Sequence, residues 1–116
     1  WTLPLSGSAV VVRAYGTTVT NQTGGSYTPN AGASDTFELN YEGTVTVNDP
    51  TSMASGQTIN IVATSTNSPS QLEWGSNYKV SGGATAAISG TILGTDVFTI
   101  LRVGSNYYVT YSLDMT

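Results

Sequence analysis

Hydrophobic and polar positions alternate at period two over much of this chain, the pattern of half-buried strands. Phe37, Leu39 and Tyr41 alternate with Thr36, Glu38 and Asn40. Beyond Glu42 and Gly43, Val45 and Val47 alternate with Thr44 and Thr46. Glu42-Gly43 reads as the turn of a hairpin over 35–47, ended by Asn48-Asp49-Pro50. A further strand follows Gly56, with Ile59, Ile61 and Ala63 inward and Thr58, Asn60 and Val62 outward. The stretch 66–70 (Thr-Asn-Ser-Pro-Ser) reads as a loop. Leu72 and Trp74 flank Glu73 in a short strand, and 78–80 form another, closed by Ser81-Gly82-Gly83. A weakly patterned strand over 86–92 is interrupted by Gly90.

Two stretches are apolar on both faces: 9–15, and 97–103, where Phe98 and Ile100 oppose Val97, Leu101 and Val103. Such strands need cover on both sides, which a neighbouring subunit can provide. After the turn at Gly104-Ser105-Asn106, Tyr107, Val109, Tyr111 and Leu113 alternate with Tyr108, Thr110 and Ser112. Residues 16–34 are mostly Gly, Thr, Ser and Asn, with 17–20 as the best strand piece. Roughly nine or ten short strands at regular spacing predict an all-β fold, an antiparallel β-sandwich or jelly-roll-like domain. We divide the chain into a strand and Gly/Thr/Asn-rich connection over 1–34, a candidate docking segment, and a sandwich module over 35–116. Together they make one domain.

Composition removes most chemistries. The 116 residues contain no Cys and no His, so thiolate and imidazole catalysis, disulfides and the common zinc sites are excluded. Only 9% of residues are charged, and seven acids against three bases leave a net charge of −4. Arg13, Lys79 and Arg102 are scattered, so there is no basic patch for phosphates and we expect no nucleic-acid or membrane partner. No apolar run approaches the ~20 residues of a membrane-spanning helix. The start at Trp1 instead of Met points to a processed chain or part of a longer polypeptide.

The carboxylates Asp35, Glu38, Glu42, Asp49, Glu73, Asp96 and Asp114 form no recognisable catalytic pair, and no calcium-loop motif surrounds them. Asp35 and Asp96 sit at strand starts, where each can cap a turn. Gly24-Gly25 and Gly82-Gly83 are followed by neither a helix nor Lys and make no phosphate loop. No cofactor, metal or catalytic residue is expected. The aromatic residues remain. Trp74 and Tyr78 flank a Gly/Ser/Asn loop and Tyr108 holds an outward position, so Tyr78, Tyr108 and Trp74 are candidates for glycan or receptor contact. The competing reading is packing, since alternation turns Trp74, Tyr107 and Tyr111 inward.

Several segments follow one another along the chain. They are Phe37-Glu38-Leu39, Gly43-Thr44-Val45-Thr46-Val47, Gly56-Gln57-Thr58-Ile59-Asn60-Ile61-Val62 and Leu72-Glu73-Trp74. Tyr78-Lys79 with Gly82-Gly83, Asp96-Val97-Phe98-Thr99-Ile100 and Gly104-Ser105-Asn106-Tyr107-Tyr108 complete the series. The series over 35–115 resembles a domain common in phage fibre and other virion structural proteins; Ser81 departs from it, where a Trp-Pro pair often precedes the two glycines. The resemblance implies a non-enzymatic β-sandwich-like module, commonly trimeric, on the surface of a phage particle. The expected role is a tail or head fibre or a capsid-decoration protein serving assembly, stability or host attachment, with capsid or tail proteins as partners. The alternative is a carbohydrate-binding module that recognises host surface glycans.

Overall fold

The computed structural model describes residues 16–80 and 93–115. Their regular structure is all strand: β1 (Thr17–Thr23), β2 (Ser26–Tyr27), β3 (Thr36–Val47), β4 (Thr58–Trp74), β5 (Tyr78–Lys79), β6 (Thr95–Val103) and β7 (Asn106–Ser112). They hydrogen-bond into one mixed sheet of order β1-β3-β4-β6-β7-β5, with β2 alongside β3. The strands expected over 9–15 and 86–92 lie outside the described residues.

The all-β expectation holds, and the pairing adds to it. The antiparallel pattern is kept where β6 joins β4 and β7, but β1, β2 and β4 all run parallel to β3, and β5 runs parallel to β7. Parallel neighbours need long connections. Segments 24–35 and 48–57 supply them without a helix, and β2 within the first pairs with Thr46 and Val47 of β3.

The hairpin expected at Glu42-Gly43 is instead one continuous strand, β3, bent at that point. Gly43 takes φ 71°, and the pairing with β4 shifts register between Tyr41 and Gly43. Tyr41 faces Ser65 and Gly43 faces Ser70, so 66–69 bulge opposite Glu42. The loop expected at 66–70 is thus a bulge inside β4. Gly24 and Gly25, at φ 59° and 70°, turn the chain between β1 and β2 at the same level, and the Gly24 amide donates to the Glu42 carbonyl at 2.9 Å. Bulges and positive-φ glycines let strands pass from one layer of a sandwich to the other. Here β3 and β4 use this shared corner to contribute to both layers.

The core lies between the layers. Phe37, Leu39, Tyr41, Ile59, Ile61, Phe98 and Ile100 come from the first, and Val45, Val47 and Leu72 from the second. Trp74 reaches across to stack on Phe98 with ring centroids 4.8 Å apart. Tyr27, Ala31 and Met53 close the core from the connections. Each fully buried large aliphatic or aromatic side chain contributes about 1.5–3 kcal/mol relative to exposure. The final hairpin forms as the alternation predicts. Phe98 faces Tyr111 and Ile100 faces Val109, with Gly104-Ser105 as a two-residue loop and Gly104 at φ 62°. Glycine at the first loop position suits the tight turns that match strand twist.

Candidate interaction face

The sheet's inward positions fill the core, so its outward positions decide what the molecule can touch. Register lines them up in rows across the strands. One row runs Thr17, Thr36, Asn60, Thr99 and Thr110, and another runs Asn21, Asn40, Thr64 and Thr95. Their side chains bond along the rows: Asn40 Nδ2 donates to Asn21 Oδ1 at 3.1 Å, the Thr64 and Thr95 hydroxyls are 3.0 Å apart, and Thr99 Oγ1 donates to Asn60 Oδ1 at 2.9 Å. Cross-strand pairs of this kind stabilise a sheet by a few tenths to ~1 kcal/mol each. An apolar stripe crosses these rows along β6. Val97 sits beside Val62, Leu101 is 39% exposed beside Tyr108 at 46%, and Val103 is 50% exposed.

The three aromatic candidates are divided between the faces. Tyr108 is on the outward face, with its hydroxyl 3.5 Å from Asn106 Nδ2. Tyr78, expected at the surface, is only 8% exposed. Its register with Tyr107 turns its ring inward, and its hydroxyl donates to the Asn48 carbonyl at 2.7 Å. Burial, then the nearby Asp49 charge, pushes that hydroxyl's pKa far above the usual tyrosine value. Trp74 is half-buried and meets Tyr78 edge-on with centroids 5.0 Å apart. Tyr78 and Trp74 thus belong to an internal aromatic cluster with Phe98 and Tyr107. Tyr111 packs on Phe98 at 6.0 Å yet keeps 40% exposure.

Several charged side chains anchor turns, connections and the corner. Asp35 Oδ1 accepts from the Gly16 amide at 3.1 Å, and buried Asp96 accepts from the Asp114 amide at 2.9 Å, as strand-start caps. Asp49 accepts from Asn77 Nδ2 at 2.7 Å. Glu42 accepts from Thr23 Oγ1 at 3.0 Å and Asn67 Nδ2 at 3.2 Å, which ties the corner together. Arg102 is the residue that sequence reading missed. Its Nε donates to the Gly104 carbonyl at 2.8 Å and its Nη1 to the Met53 carbonyl, with the guanidinium 5.9 Å from the Tyr107 ring centroid. The signal was its parity: Arg102 follows Phe98 and Ile100 at inward spacing, and a cation there needs internal acceptors.

Among the described residues no group of three His, Cys, Asp or Glu side chains is placed to hold a metal ion, and no helix is long and apolar enough to cross a membrane. Burial lifts the hydroxyl of Tyr27 to about 12. Tyr41 rises to about 12 as well, through burial and then the Asp96 charge. Neither ring is open to a substrate. Compared with known proteins, the chain matches no family model, no curated protein and no solved structure.

Proposed function

We propose that this chain is a non-enzymatic structural module of a phage particle, a fibre or capsid-decoration component that works as a homo-oligomer, most simply a trimer, beside other capsid or tail proteins. The observation that carries the reading is how the polar chemistry is used. Asp35, Asp96, Asp49, Glu42 and Arg102 all hold turns, loops or the corner. The outward positions of 58–64, β6 and β7 meanwhile form an uncharged lattice of Thr and Asn with one apolar stripe. The ordered series of motifs over 35–115 points the same way. Mass spectrometry of purified particles and of the host-cell fraction tests it. Stoichiometric amounts in particles are expected; protein found only free in cells would refute it.

Glycan binding has one observation in its favour. Tyr108 offers an exposed ring beside Asn106 and Thr110, the mixture of flat apolar and amide surface that sugars use. A glycan array compared between the wild type and Tyr108→Ala tests it; a signal that survives the substitution, or no signal at all, counts against this second reading.

A further inference from the structure

The outward face of β4, β6 and β7 has no cover among the described residues, and the geometry points to it as the surface on which further copies of this chain pack. This rests on the structural-module reading above and adds the interface to it.

Charge is the first argument. At a net charge of −4 two copies repel, and a self-interface is cheapest where no acid lies. The outward positions Thr58, Asn60, Val62 and Thr64 of β4, Thr95, Val97, Thr99, Leu101 and Val103 of β6, and Asn106, Tyr108, Thr110 and Ser112 of β7 carry no formal charge. The flanks do, with opposite signs. Glu38 of β3 sits beside Val62 on one side, and Lys79 of β5 sits beside Tyr108 on the other. Two copies packed face to face about an axis along the strands therefore set the acidic flank of each against the basic flank of the other.

Desolvation is the second argument. Polar groups resist burial unless they are hydrogen-bonded. The Thr64–Thr95 and Thr99–Asn60 pairs already bond to each other, so these side chains can lose water at reduced cost. The apolar positions Val97, Leu101 and Val103 then gain by it. Their inward neighbours Phe98 and Ile100 are wholly buried, so β6 is a central strand with one dry face and one apolar face still wet.

Area is the third. Three strands at ~4.8 Å spacing and roughly 25–30 Å of strand length give on the order of 400 Å² in projection, and more as accessible surface. A stable interface takes ~800 Å² per partner, so the contact must take in the whole face together with its Glu38 and Lys79 flanks.

Light scattering on a size-exclusion column tests the inference with four proteins: the wild type, Leu101→Asp, Tyr108→Asp and Thr44→Asp. Thr44 is exposed on β3 beyond the bend at Gly43, away from this face, and serves as the control. The wild type and Thr44→Asp should run as the same multimer at about 10 µM, the weak end of the range for standard interfaces. Leu101→Asp and Tyr108→Asp should dissociate at least tenfold more readily while keeping the wild-type circular dichroism. A wild type that stays monomeric up to millimolar concentration overturns the inference. So does a multimer whose mass ignores both face variants, and that result leaves the structural-module reading standing. Absence from purified particles overturns that reading whatever the mass.

Discussion

Replacing Arg102 by alanine tests the most consequential polar anchor in the fold. The side chain bridges the 48–57 connection to the tip of the last hairpin through the Met53 and Gly104 carbonyls. Backbone bonds run beside it, from the Gly56 amide to the Arg102 carbonyl at 2.7 Å and from the Arg102 amide to the Gln57 carbonyl at 3.1 Å, and these survive the substitution. A hydrogen bond from a charged donor contributes about 1.5–3 kcal/mol, less where water competes. The Gly104 contact is exposed and the Met53 contact partly buried, so we assign ~0.5–1 kcal/mol to the first and ~1.5–2 to the second. The stacking on Tyr107 adds ~0.5 kcal/mol. Arg102→Ala should therefore lower stability by about 2.5–3.5 kcal/mol. In a chain of this size that is a fall in Tm of roughly 8–18 °C. Arg102→Lys keeps the charge but not the two-pronged geometry, and should recover less than half. Urea unfolding followed by tryptophan fluorescence gives both values, with Trp74 as a reporter in the core. A loss under ~1 kcal/mol for Arg102→Ala would refute the anchoring role, because surface substitutions alone stay near ±0.5 kcal/mol.

Three further outcomes follow from the packing. Gly43→Ala should cost ~1–2 kcal/mol in urea unfolding, because an added Cβ meets nothing closer than 3.6 Å and the penalty is the positive φ alone; Gly43→Asn should cost less. Tyr78→Phe removes the donor to the Asn48 carbonyl and should lower stability by about 1–2 kcal/mol at neutral pH in calorimetry. Stability should also fall as pH rises from about 10 to 12: the hydroxyls of Tyr27 and Tyr41 stay protonated in the fold up to about 12, while the unfolded chain releases theirs near 10. Each such group gives a slope of up to ~1.4 kcal/mol per pH unit, and urea midpoints unchanged between pH 9 and 11.5 would contradict it.

Much of this fold is legible in the alternation, and its exceptions have physical reasons. Phe37, Leu39, Tyr41, Ile59, Ile61 and Ala63 are buried as their parity requires. The last hairpin is legible for a sharper reason: residues opposite each other in an antiparallel pair share a face, and Phe98–Tyr111 and Ile100–Val109 obey that rule across a two-residue loop. The same rule argues against the hairpin at Glu42-Gly43. A two-residue turn there would set Tyr41 opposite Thr44 and force Val45 outward, yet Val45 is apolar and fully buried. Parity runs unbroken through 41, 45 and 47, as one bent strand demands. Parallel pairing was not legible, because partners joined by long connections leave no local mark. Tyr78 misled because a two-residue strand has too little pattern to show which way its ring points. Of the interaction face, the apolar stripe on β6 was visible as a strand apolar on both sides; the Thr and Asn rows appear only once register sets distant strands side by side.

The long reach of these rows also governs how the chain must fold. The Asn40–Asn21, Thr64–Thr95 and Thr99–Asn60 bonds join residues 19, 31 and 39 apart. Loop closure must be met before such contacts reward it, and sheets built this way fold in milliseconds to seconds. Among the described strands only β6 and β7 are joined by a tight two-residue loop. They are the most local pairing and the natural nucleus, to whose open edge β4, β3 and β1 add in reverse chain order. A chain emerging N-terminus first therefore leaves the β4 edge open until its last strands are made.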